Sequence, residues 1–282
     1  MNQGTPSTGP GGNRRGLDDV IGDLDEIIER AIRERSELGI FPALYRAVTT
    51  GVQEAVRVGF FDHNDAMEQL SIVFADRYID AYAAMRQDRS LTEAWRVAFA
   101  AAMDGKRRMV VQHLLSGMTA HINLDLGVAT ATVAADDPDS LYVDFFRVNQ
   151  MLFEQVNGFQ EMVNSVSSRM RWIDRIGGRL DERLAKIGIG GARERAWLLA
   201  MDLIDHPTRR DEIISARDGE TAHLEGLILE GIVRTRTISR LITATEPSDV
   251  RVVINAFLEP SVDLDAVAGA VDASDTTPPG HR

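Results

Sequence analysis

From Leu17 onward the apolar positions recur at i, i+3, i+4 and i+7, the spacing of one buried helical face, while strand-like alternation is nearly absent. LDDVIGDLDEIIERAIRERSEL reads as one amphipathic helix, with acids in its first turn where they suit the helix dipole, ended by Gly39. FPALYRAVTTGVQEAVRVG is a second, closed by Gly59. A third runs from about 65 to 88 behind the loop FFDHND. SLTEAWRVAFAAAM opens on a capping box formed by Ser90 and Glu93. DGK then breaks the pattern, and another helix spans about 106 to 134. DDPDS is a turn before a long helix through LYVDFFRVNQMLFEQVNGFQEMVNSV. Helices resume at ARERAWLLAMDLI and RRDEIISARDGETAHLEGLILEG. The expectation is an all-α fold: a single compact multi-helix bundle of about ten helices, with no strand and no internal repeat.

Composition sets the limits of that bundle. Residues 1–16 and 260–282 are rich in Gly, Pro, Ser, Thr and Asp with little to bury, so both are expected to be disordered tails around one helical domain at 17–259. Hydrophobic residues make up 44% of the chain, enough for a core of that size. The net charge of −12 is repelled by phosphate backbones and argues against nucleic acid as a partner. There is no cysteine, which removes disulfides and thiolate metal ligands and fits a cytoplasmic protein. The N-terminal stretch lacks an apolar signal core, and no run reaches the ~18 apolar residues of a membrane span.

Chemistry concentrates in QHLLSGMTAHINLDLGVA, residues 112–129. At about 100° per residue, Gln112, Ser116, Thr119 and Asn123 form one uncharged polar stripe. Asp125 falls on the opposite, apolar side, between Leu114 and Met118. It is the only acid from Met109 to Ala135, and that interval holds no Lys or Arg, so the helix is expected to be buried all round. A buried carboxylate needs an ion pair, hydrogen bonds or a metal. His121 lies one turn before it on the same face. The pair suits three roles: mutual satisfaction inside a scaffold, joint ligation of a divalent metal, or an imidazole oriented by a carboxylate for acid–base work. His113 is about 12 Å of helix rise from His121, too far to share a metal with Asp125 along a straight helix; it reads as a contact to a second ligand or as a packed side chain. Gly117 leaves a gap between the histidines, filled by a neighbouring helix or by a small molecule.

Other groups are weaker candidates. Asp76 and Asp80 stand one turn apart beside Arg77 and Tyr78, and read either as a solvated, salt-bridged face or as the missing metal carboxylate opposite His121. Arg77, Tyr78 and Asn123 are candidate substrate contacts. His63 sits in an exposed loop, and His206 reads as a helix C-terminal cap. His223 and Glu225 do not share a face and are set aside. Arg171, Arg175, Arg179 and Arg183 recur every fourth residue but are neutralised by Asp174, Asp181 and Glu182.

FPALYRAVT, MEQLSIVFADRYIDAY, AWRVAF, QHLLSGMTAHINLDLGVA and IDRIGGRLDE, in that order, resemble an uncharacterised, mainly actinobacterial family catalogued as domain of unknown function 5995. The resemblance covers roughly residues 17–205, and AHINLDLG is its most specific block. It implies that His121, Asn123 and Asp125 belong to the family's signature, and it supplies no activity. The functional expectation is an enzyme built on His121, Asp125 and His113, with a divalent metal held by His121, Asp125, Asp76 and Asp80, acting on a small and partly apolar substrate. The alternative is a non-catalytic helical ligand-binding or interaction protein in which the His–Asp pair is structural.

Overall fold

A computed structural model describes residues 15–148, 189–231 and 243–258. The described residues are helical throughout, with no strand among them. All but residues 15 and 16 of the expected terminal tails, most of the long helix after Leu141 and the arginine series lie outside them.

Helix α1 spans Leu17–Glu34 and buries Val20, Leu24, Ile27, Ile28 and Ala31 on one face. Asp19 accepts from the Gly16 N–H at its start. It ends before Gly39: Arg35 takes the left-handed conformation at φ 52°, and a short 3-10 turn follows at Glu37–Gly39. Helix α2 (Ile40–Arg57) and α3 (Asn64–Arg86) match their sequence patterns to within two residues. The turn between them is fastened by Asp144, which is wholly buried and accepts from the Asp62 and His63 N–H groups. Helix α4 is Glu93–Met103, and its N-cap is Thr92 rather than Ser90. The Asp218 carboxylate, from another helix, accepts from the Glu93 and Ala94 N–H groups and so completes that cap.

The helix expected over 106–134 starts later and is not uniform. Residues 104–109 form a loop, α5 is Val110–Ala120, a π turn follows at His121–Asp125, and α6 is Leu126–Val133. A further helix, α7, begins at residue 138 and is described to residue 148. Helices α8 (Ile189–Asp205), α9 (Arg210–Gly231) and α10 (Val250–Leu258) complete the described chain. The α5–π–α6 element is the axis of the bundle, packed on α2, α3, α4, α8 and α9. That burial on every side explains its lack of charge.

Two glycines set how closely α5 and α6 are approached. A Cβ at Gly117 would lie 2.5 Å from Cγ of Phe41, and one at Gly127 would lie 2.6 Å from Leu199 Cδ2 and 2.9 Å from the Ala196 carbonyl oxygen. The gap read at Gly117 is thus occupied by Phe41. Gly226 on α9 has open space at the same position. Helix propensity alone favours alanine at either site by ~0.5–1 kcal/mol. Gly226→Ala is therefore expected to raise the urea midpoint. Gly127→Ala is expected to lose ~1–3 kcal/mol through the overpacked α6–α8 contact. The same sign at both sites would refute the close approach.

Candidate functional site

The π turn presents His121 and Asp125 to a wall of aromatic rings. Helix α2 supplies Phe41 and Tyr45, one turn apart; α3 supplies Phe74, Arg77 and Tyr78; α4 supplies Trp95 and Phe99. Asp125 has 1% of its surface exposed. Its Oδ1 accepts from Arg77 Nε at 2.8 Å, and its Oδ2 accepts from Trp95 Nε1 at 2.8 Å. His121 Nδ1 lies 3.2 Å from the same Oδ2. The carboxylate is the acceptor in all three contacts, so Nδ1 carries the imidazole proton and Nε2 is left with a lone pair. Hydrogen bonds to a charged group contribute ~1.5–3 kcal/mol each, which offsets the burial of this carboxylate.

The imidazole lies flat on Phe74, with ring centroids 3.6 Å apart and planes at 9°. The edge of Tyr45 meets it at 4.5 Å. Burial lowers the His121 pKa from its ordinary 6.5, and Asp125 only partly opposes this, so the ring is neutral at neutral pH. Burial also pushes the Tyr45 phenol far above its usual range, with the Asp125 charge adding to the effect. Nε2 of His121 is buried and has no hydrogen-bond partner.

His121 forms part of the wall of a cavity of about 120 Å³ between α2, α3 and the π turn. Most of the lining is apolar, with Leu44, Val52, Met67, Leu70 and Phe74 prominent. The polar lining residues besides His121 and the Tyr45 phenol are Thr49, Ser71 and Arg193. A π turn inside an α-helix is a frequent mark of a functional position. Here it carries the one histidine on the cavity wall.

The other sequence candidates fall elsewhere. Arg77 is not a free substrate contact, because its Nε is committed to Asp125. Tyr78 is wedged at 1% exposure between Phe41 and Trp95 and does not line the His121 cavity. Asn123 is buried with an unpartnered Oδ1, but it too is absent from that wall. The polar stripe it belongs to turns toward α9, where Gln112 Nε2 donates to the Leu229 carbonyl at 2.8 Å. His113 lines a separate cavity of about 30 Å³ on the α4 side, with Nε2 3.1 Å from Glu37 Oε2, close enough for an ion pair but off the direction of a hydrogen bond. It does not join His121. The capping role read for His206 holds, with Nδ1 3.2 Å from the Asp202 carbonyl.

A divalent-metal centre does not fit these residues. Asp76 pairs with Arg15 at 2.9 Å, and Asp80 is exposed one turn further along α3. Both oxygens of Asp125 already face N–H donors, one of them a guanidinium that would repel a cation. Among the described residues no three His, Asp or Glu side chains converge as a ligand set.

Sequence reasoning missed two participants and misread a third. Trp95 holds Asp125 from 30 residues away, and Arg77, read as a substrate contact, holds it from 48. Glu225, set aside on sequence, is wholly buried on α9 with neither carboxyl oxygen hydrogen-bonded. Burial first, then the charge of Asp218, raise its pKa to about 10 against an opposing main-chain contact from Ala120, with the Asp125 charge the smallest contribution, so it is a neutral acid at pH 7.

The model of the family of unknown function DUF5995 matches residues 17–231. The chain belongs to that family. The DUF5995 match spans the π turn, every ring around His121, and both Arg193 and Glu225. No curated protein and no solved structure matches the chain. Among the described residues of this DUF5995 member, no helix is long and apolar enough to cross a membrane.

Proposed function

We propose that this protein binds a small, largely apolar molecule in the cavity between α2, α3 and the π turn, and that His121 is the acid–base group that meets it. One observation carries the reading. A neutral imidazole, fixed through Nδ1 by Asp125, keeps a buried Nε2 without a partner, on a residue that lines an apolar cavity. A histidine so held is an acceptor for a hydroxyl and a base toward its proton. Asp125 orients the ring, and Arg77 and Trp95 orient Asp125. The reaction class supported is proton abstraction from, or water activation beside, a hydroxyl-bearing or otherwise polarised apolar substrate, with no metal in the step.

Benzyl alcohol is a suitable probe, as a ring with one hydroxyl donor. It is expected to raise the melting temperature of the full chain at millimolar concentration. Ser71→Phe, which fills the cavity from α3, should abolish the shift, and His121→Phe should weaken it by about tenfold in Kd, the loss of ~1.4 kcal/mol of hydrogen bonding. A shift that survives Ser71→Phe places the ligand elsewhere and ends the proposal. Binding untouched by His121→Phe favours the second reading. In that reading the cavity binds and the His–Asp pair is scaffold, as the complete burial of Nε2 favours.

A further inference from the structure

Arg193 is buried, at 6% exposure, near the start of α8. One of its Nη2 protons goes to the Phe145 carbonyl at 2.6 Å, and the guanidinium carbon sits 4.4 Å over the Phe145 ring. Its Nε has no partner, and no carboxylate among the described residues pairs with it. Neighbouring arginines behave differently: Arg77 is matched to Asp125, and Arg147 to Asp62 and Asp144. Burial with no opposing acid draws the Arg193 guanidinium down to about 9, still positive at neutral pH. A buried, uncompensated cation is costly, and folds that keep one supply its counter-charge from somewhere.

Arg193 lines the same cavity as His121. We propose that the cavity takes a small organic monoanion, a carboxylate on an apolar body, with the carboxylate paired to Arg193 and the body against the hydrocarbon wall formed by α2 and α3. This rests on the reading of the cavity as a ligand site. One guanidinium balances one negative charge, and among the described residues no second Arg or Lys lines this cavity, so a monoanion fits better than a phosphate dianion. The size follows from the volume. A cavity of about 150 Å³ lined by Leu, Ile and Phe holds benzene, so 120 Å³ suits a single ring or a short acyl chain. Arg193 reads the charge, and His121 meets a second polar group where the ligand has one.

Isothermal titration of the full chain with benzoate and with benzyl alcohol at pH 7 tests this. Benzoate is expected to bind at least tenfold more tightly. Arg193→Met should erase that preference while leaving benzyl alcohol bound, and should raise the melting temperature of the empty protein. Arg193→Lys should keep the preference, and it carries the test if the methionine variant does not fold. Benzyl alcohol binding as tightly as benzoate, or a preference that survives Arg193→Met, overturns the anion assignment and leaves the cavity reading intact. Binding of neither probe overturns both.

Discussion

Asp125→Leu is expected to destabilise the protein by ~3–5 kcal/mol, the cost of removing one member of a buried ion pair. The leucine has the right character for a helix buried all round, so loss of apolar contact is not the cause. Arg77, whose side chain is 29% exposed, can turn toward water, but Trp95 and His121 cannot. The indole N–H and the imidazole N–H would each be left buried without an acceptor, at ~1–3 kcal/mol apiece. Asp125→Asn keeps one carbonyl acceptor and should lose less, with the Arg77 pair gone. Asp80→Asn, on the exposed face of α3, should stay within ~0.5 kcal/mol of the parent. Urea midpoints for the three variants check the series. A leucine variant as stable as the parent would mean that the carboxylate does not organise the site.

Glu225→Gln should become progressively more stabilising as pH rises. In the folded protein the carboxyl keeps its proton up to about 10, whereas in the unfolded chain it loses it near 4.5. Between those values the native state binds the extra proton, so the stability of the parent falls as pH rises, by at most ~1.4 kcal/mol per pH unit. Glutamine is neutral at every pH and escapes this. The variant should match the parent near pH 5 and exceed it by ~2–4 kcal/mol at pH 8, the range for a fully buried carboxyl. His121 acts at the other end. Its folded pKa is depressed below 6.5, so the stability of the neutral ring is present above that value and is lost as pH falls through it. Melting curves from pH 5 to pH 9 on parent and variant separate the two, and parallel curves across that range would refute a buried protonated Glu225.

The helices were legible because their signal is local. A 3.6-residue period, acids in a first turn and a charge-free central segment all act within one element, and they located α1 to α3 and the buried axis. The His121–Asp125 pair was legible for the same reason. What holds the pair was not. Trp95 and Arg77 reach Asp125 only through the packing of α3 and α4 on the π turn, and nothing in their own segments points there. Asp76 stands apart from the pair by about 100° of helix rotation: Arg77 faces inward, while Asp76, one residue earlier, pairs outward with Arg15. Glu225 escaped notice because α9 is polar on most sides, and one more acid on it carries no mark of burial. Arg193 hid likewise in ARERAWLLAMDLI, between an ordinary alanine and an ordinary glutamate.

The π turn has a consequence for how this segment tolerates change. Its backbone bonds run to the fifth residue rather than the fourth, so it takes up one residue more than a regular turn. It acts as a phase shift written into an otherwise continuous helix. Removing a single residue between His121 and Asp125 would let that helix close regularly with α6 still on its present face, whereas the same deletion within α5 would turn everything beyond it by about 100°. Gly127 would then leave Leu199, and a residue with a Cβ would arrive in its place. The reading frame of the helix is thus locked from both ends: α5 is fixed by Phe41 on Gly117, α6 by Leu199 on Gly127, and the surplus residue between them has nowhere else to go.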